Sequence, residues 1–266
     1  MATISAKDVQ RLRRSTGAGM LDAKSALERS GGDYDAAVRL LREEGKASAL
    51  KRHDREAGDG AVALVVDGGV GAVVELRCET DFVAKSAEFV QLVEELAAMV
   101  AAEGAEAVAS RQGDVEKLAS TLKENISVGR VIRFDAEGSP DRVVDGYLHL
   151  QSDRGVNAVL LEAEGVDRSV VHDIAVHVAF ARPGYLSRDD VPSSELEAER
   201  AIVEAAARKE GKPEAALEKI VSGRINGWLK ERVLLDQSWV RDEKKSISDL
   251  LGGGRVIRFA QVVVGG

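Results

Sequence analysis

The sequence predicts an α+β protein: three short helices, a charged linker, and a duplicated α+β core carrying an inserted helical hairpin. Three observations lead there. The first forty-odd residues have helical periodicity broken by glycines, the rest of the chain repeats itself, and the second copy of the repeat is longer by a stretch that reads as two paired helices. The expected units are residues 1–43 for the helices, 44–58 for the linker, 59–140 and 141–266 for the two halves of the core, and about 192–230 for the hairpin.

Ser5 with Asp8 three residues on forms a capping box, and Val9 and Leu12 mark the apolar face of the first helix. Gly17 is expected to end it, because a left-handed C-terminal position suits glycine. A second helix places Met20, Ala23 and Leu27 on one face and stops at Gly31-Gly32. Asp33 is expected to cap a third, with Ala37, Val38, Leu40 and Leu41 available for burial. So small a bundle is marginal alone and suits docking. From Glu43 to Asp59 the sequence is charged, with Lys46, Lys51, Arg52, Asp54, Arg55 and Glu56, and reads as a linker, either extended or helical.

Asp59-Gly60 recurs as Asp145-Gly146, and Gly69–Val74 (GVGAVV) recurs as Gly155–Leu160 (GVNAVL), both at the same spacing. Each copy opens with a β-rich pair, as in Ala61–Val66 and Ala72–Leu76, and continues into an amphipathic helix. The helix carries Phe89, Val93, Leu96 and Val100 in the first copy and Val171, Ile174, Val178 and Ala179 in the second. Each closes on the same strand, GRVIRF at 129–134 and again at 254–259. The longer second copy holds the hairpin: Ser194 with Glu197 to cap one helix bearing Leu196, Ile202 and Val203, a Gly211-Lys212-Pro213 turn, and a return helix with Leu217, Ile220 and Val221. Paired helices projecting from a globular unit serve contact or homo-oligomerisation, or else cover a sheet face.

The first copy has an insertion of its own, Thr80-Asp81-Phe82-Val83-Ala84-Lys85, with no counterpart after Glu162. The subdomain fold therefore does not need it. Two readings stand: a capped helix start with Asp81 as cap and Phe82 as staple, or an exposed turn presenting a carboxylate and an aromatic ring to a partner.

Composition narrows the function. A formal charge of −8 gives no general basic surface, so a protein partner is favoured over nucleic acid. Arg11, Arg13 and Arg14 could make a local basic patch, or simply a solvated helix face. No export signal or membrane-length apolar run is seen, so a cytoplasmic location and no membrane partner are expected. One cysteine, Cys78, excludes an internal disulfide and a multi-cysteine zinc site. Of the histidines, His53, His149, His172 and His177, the last two are wrongly spaced for one helix face, and no metal site is expected. Gly45-Lys46 and Gly211-Lys212 lack the Ser or Thr of a phosphate loop. Gly252-Gly253-Gly254 runs into a strand rather than a helix, so it offers phosphate no helix N-terminus. No active site and no cofactor are nominated.

Two stretches, Arg13–Lys24 (RRSTGAGMLDAK) and Cys78–Lys85 (CETDFVAK), resemble the two signatures of the elongation factor Ts family, in the family's order, and the likeness covers nearly the whole chain. The resemblance implies a guanine-nucleotide exchange factor for elongation factor Tu, not an enzyme. It implies that the helical module is ubiquitin-associated-like (UBA-like) and docks through Arg13, Met20 and Leu21. Thr80, Asp81, Phe82 and Val83 match the segment associated with dislodging Mg²⁺ in the partner, with Phe82 as wedge, and Tyr147 and His149 match a second contact. The sequence ends soon after Phe259, so contacts made by a carboxy-terminal helix in some members are not carried over. A protein-binding scaffold explains the bundle and hairpin but leaves the insertion without a task. A small-molecule enzyme lacks candidate nucleophiles and bases.

Overall fold

In the computed structural model, which describes residues 4–16, 18–52 and 55–266, the chain runs α1 (Ala6–Thr16), α2 (Met20–Arg29), α3 (Tyr34–Arg52), β1 (Asp59–Asp67), β2 (Val70–Cys78), α4 (Asp81–Ala84), α5 (Ala87–Glu103), α6 (Gln112–Leu122) and β3 (Ser127–Asp135). It continues with β4 (Arg142–Gln151), β5 (Arg154–Glu164), α7 (Arg168–Ala181), α8 (Ser193–Lys209), α9 (Glu214–Arg232), β6 (Ser238–Trp239), β7 (Asp242–Ser246), α10 (Ile247–Leu250) and β8 (Arg255–Val263). Gly17, His53 and Asp54, all named above, lie outside the described residues.

The three N-terminal helices close over Leu12, Ala23, Ala26, Leu27 and Ala37. Ser5 and Asp8 form the expected reciprocal cap, and Asp33 accepts from the Ala36 amide. The third helix does not stop where the charged stretch begins. It continues to Arg52, so the first part of the predicted linker is helical.

Two antiparallel sheets follow, ordered β1-β2-β3 and β4-β5-β8, so the repeat in sequence is a repeat in topology. In each, the second strand is central. Because strand side chains alternate, one face of the first sheet meets α5 through Ala61, Ala72, Val74 and Leu76, while the opposite face carries Val62, Val73 and Phe134. The second sheet likewise presents Val159, Leu161 and Ala163 to α7, and Val144, Ala158, Leu160 and Val262 to the other sheet. The result is four layers, helix–sheet–sheet–helix. Buried on both faces, β2 and β5 read as nearly continuous apolar runs.

The sheets approach closely where side chains are missing. A Cβ built on Gly155 would overlap the Val62 carbonyl oxygen, and one on Gly71 would overlap Leu160. Polar latches join the sheets at their margins. Arg154 Nη1 donates to Asp59 at 2.5 Å and to the Gly60 carbonyl, Arg130 donates to the Gln261 carbonyl at 2.7 Å, and the Arg258 guanidinium lies 4.2 Å from the centre of the Phe134 ring. Arg258 also holds the fully buried Glu162 at 2.6 Å, opposite Arg142 at 3.2 Å.

The hairpin of α8 and α9 turns at Gly211 (φ +73°) and closes over Val203, Val221, Ile225 and Leu229. Two details differ from expectation. Ser194 lies inside α8, whose N-terminal boundary residue is Pro192, so the Ser194–Glu197 cap does not form. Ile202 points to solvent instead of the hairpin core, because Val203 and Ala207 take the buried line.

His177 is buried in the second half with a complete set of partners. Gln237 is oriented by donating its amide to the Glu231 carbonyl, so its oxygen faces the ring and accepts from Nε2 at 2.9 Å. The Val240 amide donates to Nδ1 at 3.3 Å. A second ring proton would therefore point at another donor, and burial holds the imidazole below its ordinary value of 6.5.

Two outcomes are expected in unfolding experiments. Gly155→Ala lowers stability by about 1–3 kcal/mol, the usual cost of overpacking a tight interface, measured by urea denaturation. For His177, the unfolded imidazole takes up a proton as pH falls through about 6.5 while the folded one resists it. Its contribution is thus complete above that pH and declines below it. Thermal unfolding midpoints fall between pH 7.5 and 5.5, and His177→Gln loses part of that slope whatever its absolute stability.

Candidate partner-binding site

Strand β2 ends at Cys78 and α5 begins at Ala87, whereas β5 and α7 are joined by Gly165 to Asp167 alone. The longer connection holds the one-turn helix α4. Its cap is Thr80, whose extended backbone (φ −128°, ψ 153°) lets the hydroxyl accept from the Val83 amide. The reading with Asp81 as cap and Phe82 as staple is therefore corrected: Asp81 is the first helical residue, and Phe82 staples nothing, being 83% exposed. Val83 and Ala84 supply the anchor by packing on the first core. Asp81 pairs with Lys85 at 2.5 Å, and that hydrogen bond holds its carboxyl below the usual carboxylate range, with a smaller contribution from Arg154 across the sheet boundary.

The turn is gripped from one side by a residue that sequence inspection did not single out. Glu124, just past α6, accepts from the Glu79 amide at 3.0 Å, the Thr80 amide at 3.1 Å and the Thr80 hydroxyl at 2.5 Å. Glu79 returns the contact by accepting from the Asn125 amide at 2.7 Å. No local pattern marks Glu124, because the partners lie more than forty residues apart in sequence. Cys78, beneath the turn, donates its thiol hydrogen to the Thr80 carbonyl, and burial pushes the thiol up to about 12, leaving it inert as a nucleophile.

The three residues of the helical module assigned by resemblance are solvent-facing. Arg13 is exposed on the last turn of α1. Met20 and Leu21 open α2 at 48% and 80% exposure, while Ala23, Ala26 and Leu27 form its buried line. Met20 therefore does not join Ala23 and Leu27 on the buried face where its spacing placed it, and this expectation is corrected. Beside them Asp22 pairs with Lys123 at 3.3 Å, next in sequence to Glu124, so the start of α2 and the Thr80–Val83 turn stand on either side of one dipeptide. Lys123 adopts a left-handed backbone (φ 62°), which costs a residue with a side chain on the order of 1 kcal/mol.

Tyr147 and His149 lie elsewhere, on the β4 edge of the second sheet. Two apart on a strand, they share a face: their rings stack at 6.4 Å, and the Tyr147 hydroxyl is 3.4 Å from His149 Nδ1. His172 of α7 meets Tyr147 edge-on at 6.3 Å and approaches Asp145 at 3.9 Å, adding two residues the sequence had not linked to the pair. Among the described residues no group of three or more His, Cys, Asp or Glu side chains is placed to hold a metal ion, and no helix is long and apolar enough to cross a membrane.

Comparison with known proteins decides what this arrangement belongs to. The family model for elongation factor TS matches residues 79–266, beginning at the first residue of the clamped connection. The chain belongs to the elongation factor Ts family. It is similar over nearly its whole length to elongation factors Ts of several bacteria. Identity is 42% with that of Kineococcus radiotolerans, covering 96% of both chains. It is 43% with that of Acidothermus cellulolyticus, covering all of this chain and 99% of the other. It is 41% with that of Clavibacter michiganensis, covering both in full. Membership makes this chain a factor of the elongation stage of protein synthesis, with elongation factor Tu as its implied partner.

In this family member the two phenylalanines of the α4–α5 region are expected to separate on mutation. Phe89 is fully buried, so Phe89→Ala costs about 3–5 kcal/mol. Phe82 has almost no burial to lose, so Phe82→Ala leaves the melting temperature within about 2 °C of wild type by calorimetry.

Proposed function

We propose that the chain is a guanine-nucleotide exchange factor that docks on elongation factor Tu–GDP through its helical module and loosens the Mg²⁺ and phosphate site with the Thr80–Val83 turn. The observation that carries this reading is Phe82, a phenyl ring left in water on a turn held by hydrogen bonds and absent from the twin subdomain. Folding does not account for the ring, since Val83 and Ala84 do the anchoring.

No bond is broken in such a reaction. GDP in a GTPase of this kind is held by backbone amides and Mg²⁺ in the GTPase itself. The factor needs only to bind the empty state better than the loaded one, and linkage makes this reciprocal. Each tenfold loss of GDP affinity requires about 1.4 kcal/mol of preference for the empty state. Burying one Phe side chain is worth roughly 1.5–3 kcal/mol, so Phe82 supplies a tenfold to hundredfold share and the wider interface the rest. Asp81 brings a carboxylate to the same edge and Thr80 sets the turn. Arg13, Met20 and Leu21 supply affinity, and Tyr147 and His149 a second contact.

Release of fluorescent GDP from elongation factor Tu tests this. Phe82→Ala slows release tenfold to hundredfold at saturating factor while retaining normal unfolding. Leu21→Ser raises the concentration needed for half-saturation and leaves the saturated rate nearly unchanged. Nucleotide leaving no faster with the wild-type factor than without it would overturn the proposal.

A further inference from the structure

We infer that Glu124 is a positioning residue for the Asp81–Phe82 turn, an inference that rests on the exchange reading and deepens it. The first sheet ceases to pair β2 at Cys78, so the Glu79 and Thr80 amides leave the ladder without strand partners. Glu124 accepts from both. Its other oxygen accepts from the Thr80 hydroxyl, and that hydroxyl in turn accepts from the Val83 amide. A chain of contacts thus runs from Glu124 through Thr80 to the residue that follows Phe82.

A one-turn helix does not hold itself together, because the first turn fixes several backbone angles for a single hydrogen bond. What orients Phe82 must come from outside the helix, and Glu124 is placed to do it. The base of the clasp is itself secured. Asn125 donates its amide to Glu79 and its side-chain nitrogen to the Arg55 carbonyl, and Lys123 binds Asp22 beside Met20 and Leu21. An orientation set in advance spares the complex the entropy of ordering the turn on contact. Glu124 therefore acts on the step after docking and not on docking itself.

The test measures GDP release from elongation factor Tu over a range of full-length factor concentrations, alongside thermal unfolding. Glu124→Ala lowers the saturated release rate about tenfold, with half-saturation and melting temperature close to wild type. Glu124→Gln restores most of the rate, because an amide oxygen accepts from the two backbone N–H groups and the amide nitrogen donates to the Thr80 hydroxyl. In a Phe82→Ala background, Glu124→Ala has little further effect, since the residue works through the ring. An unchanged rate in Glu124→Ala, a Glu124→Gln as slow as Glu124→Ala, full additivity with Phe82→Ala, or loss of folding in Glu124→Ala would each overturn the inference. A Phe82→Ala factor with normal exchange would instead overturn the exchange reading itself.

Discussion

The contact between the two three-stranded sheets is the constraint on which the rest of the molecule depends. A sheet covered by helices on one side only has a second apolar face that must leave water, and here each sheet covers the other with Val62, Val73, Phe134, Val144, Ala158, Leu160 and Val262. Gly155 lets the faces close to backbone distance and Gly71 leaves room for the Leu160 side chain, while Arg154 and Arg130 satisfy polar groups at the margins and Arg258 lies over the Phe134 ring. The carboxylate of Glu162, removed from solvent in this region, has a cation on either side, which is the condition under which a buried charge is tolerated.

With the centre of each half committed to the core, surfaces for a partner are left to the parts that the sheets do not need. The first connection from sheet to helix is extended beyond its twin, and the extra residues form a turn with a buried side at Val83 and Ala84 and a wet side at Phe82. The helical module is a separate small core whose outer residues Met20 and Leu21 stay uncovered. The Asp22–Lys123 pair beside the Glu124 clasp relates these two surfaces. As an exposed ion pair it adds little to stability, so its interest lies in geometry.

Much of this was legible in the sequence. Periodicity located the helices of the module and the paired helices of the hairpin, and the recurring GRVIRF strand announced the duplicated topology. The errors have a common origin. Ser194 fits a capping pattern, but Pro192, two residues earlier, already ends the extended segment, so the helix starts before the serine. Asp81 and Thr80 are both good caps, and the choice fell to Thr80 because Glu124 orients its hydroxyl from across the fold. The charged stretch after Glu43, one reading of which is a helical linker, does run on as helix to Arg52 in spite of Gly45, a charged composition being compatible with a solvated helix.

The sequence by itself determined the class of fold, its internal repeat and the two signatures that point to the family, because each is written in neighbouring residues or in an alignment of the chain with itself. Only the tertiary structure decided which way Phe82 faces, that Glu124 holds the turn, and that His172 of α7 joins the strand face of Asp145 and Tyr147. Those are relations between residues tens of positions apart, and the direction of an exposed side chain depends on what fails to cover it, which no local pattern records.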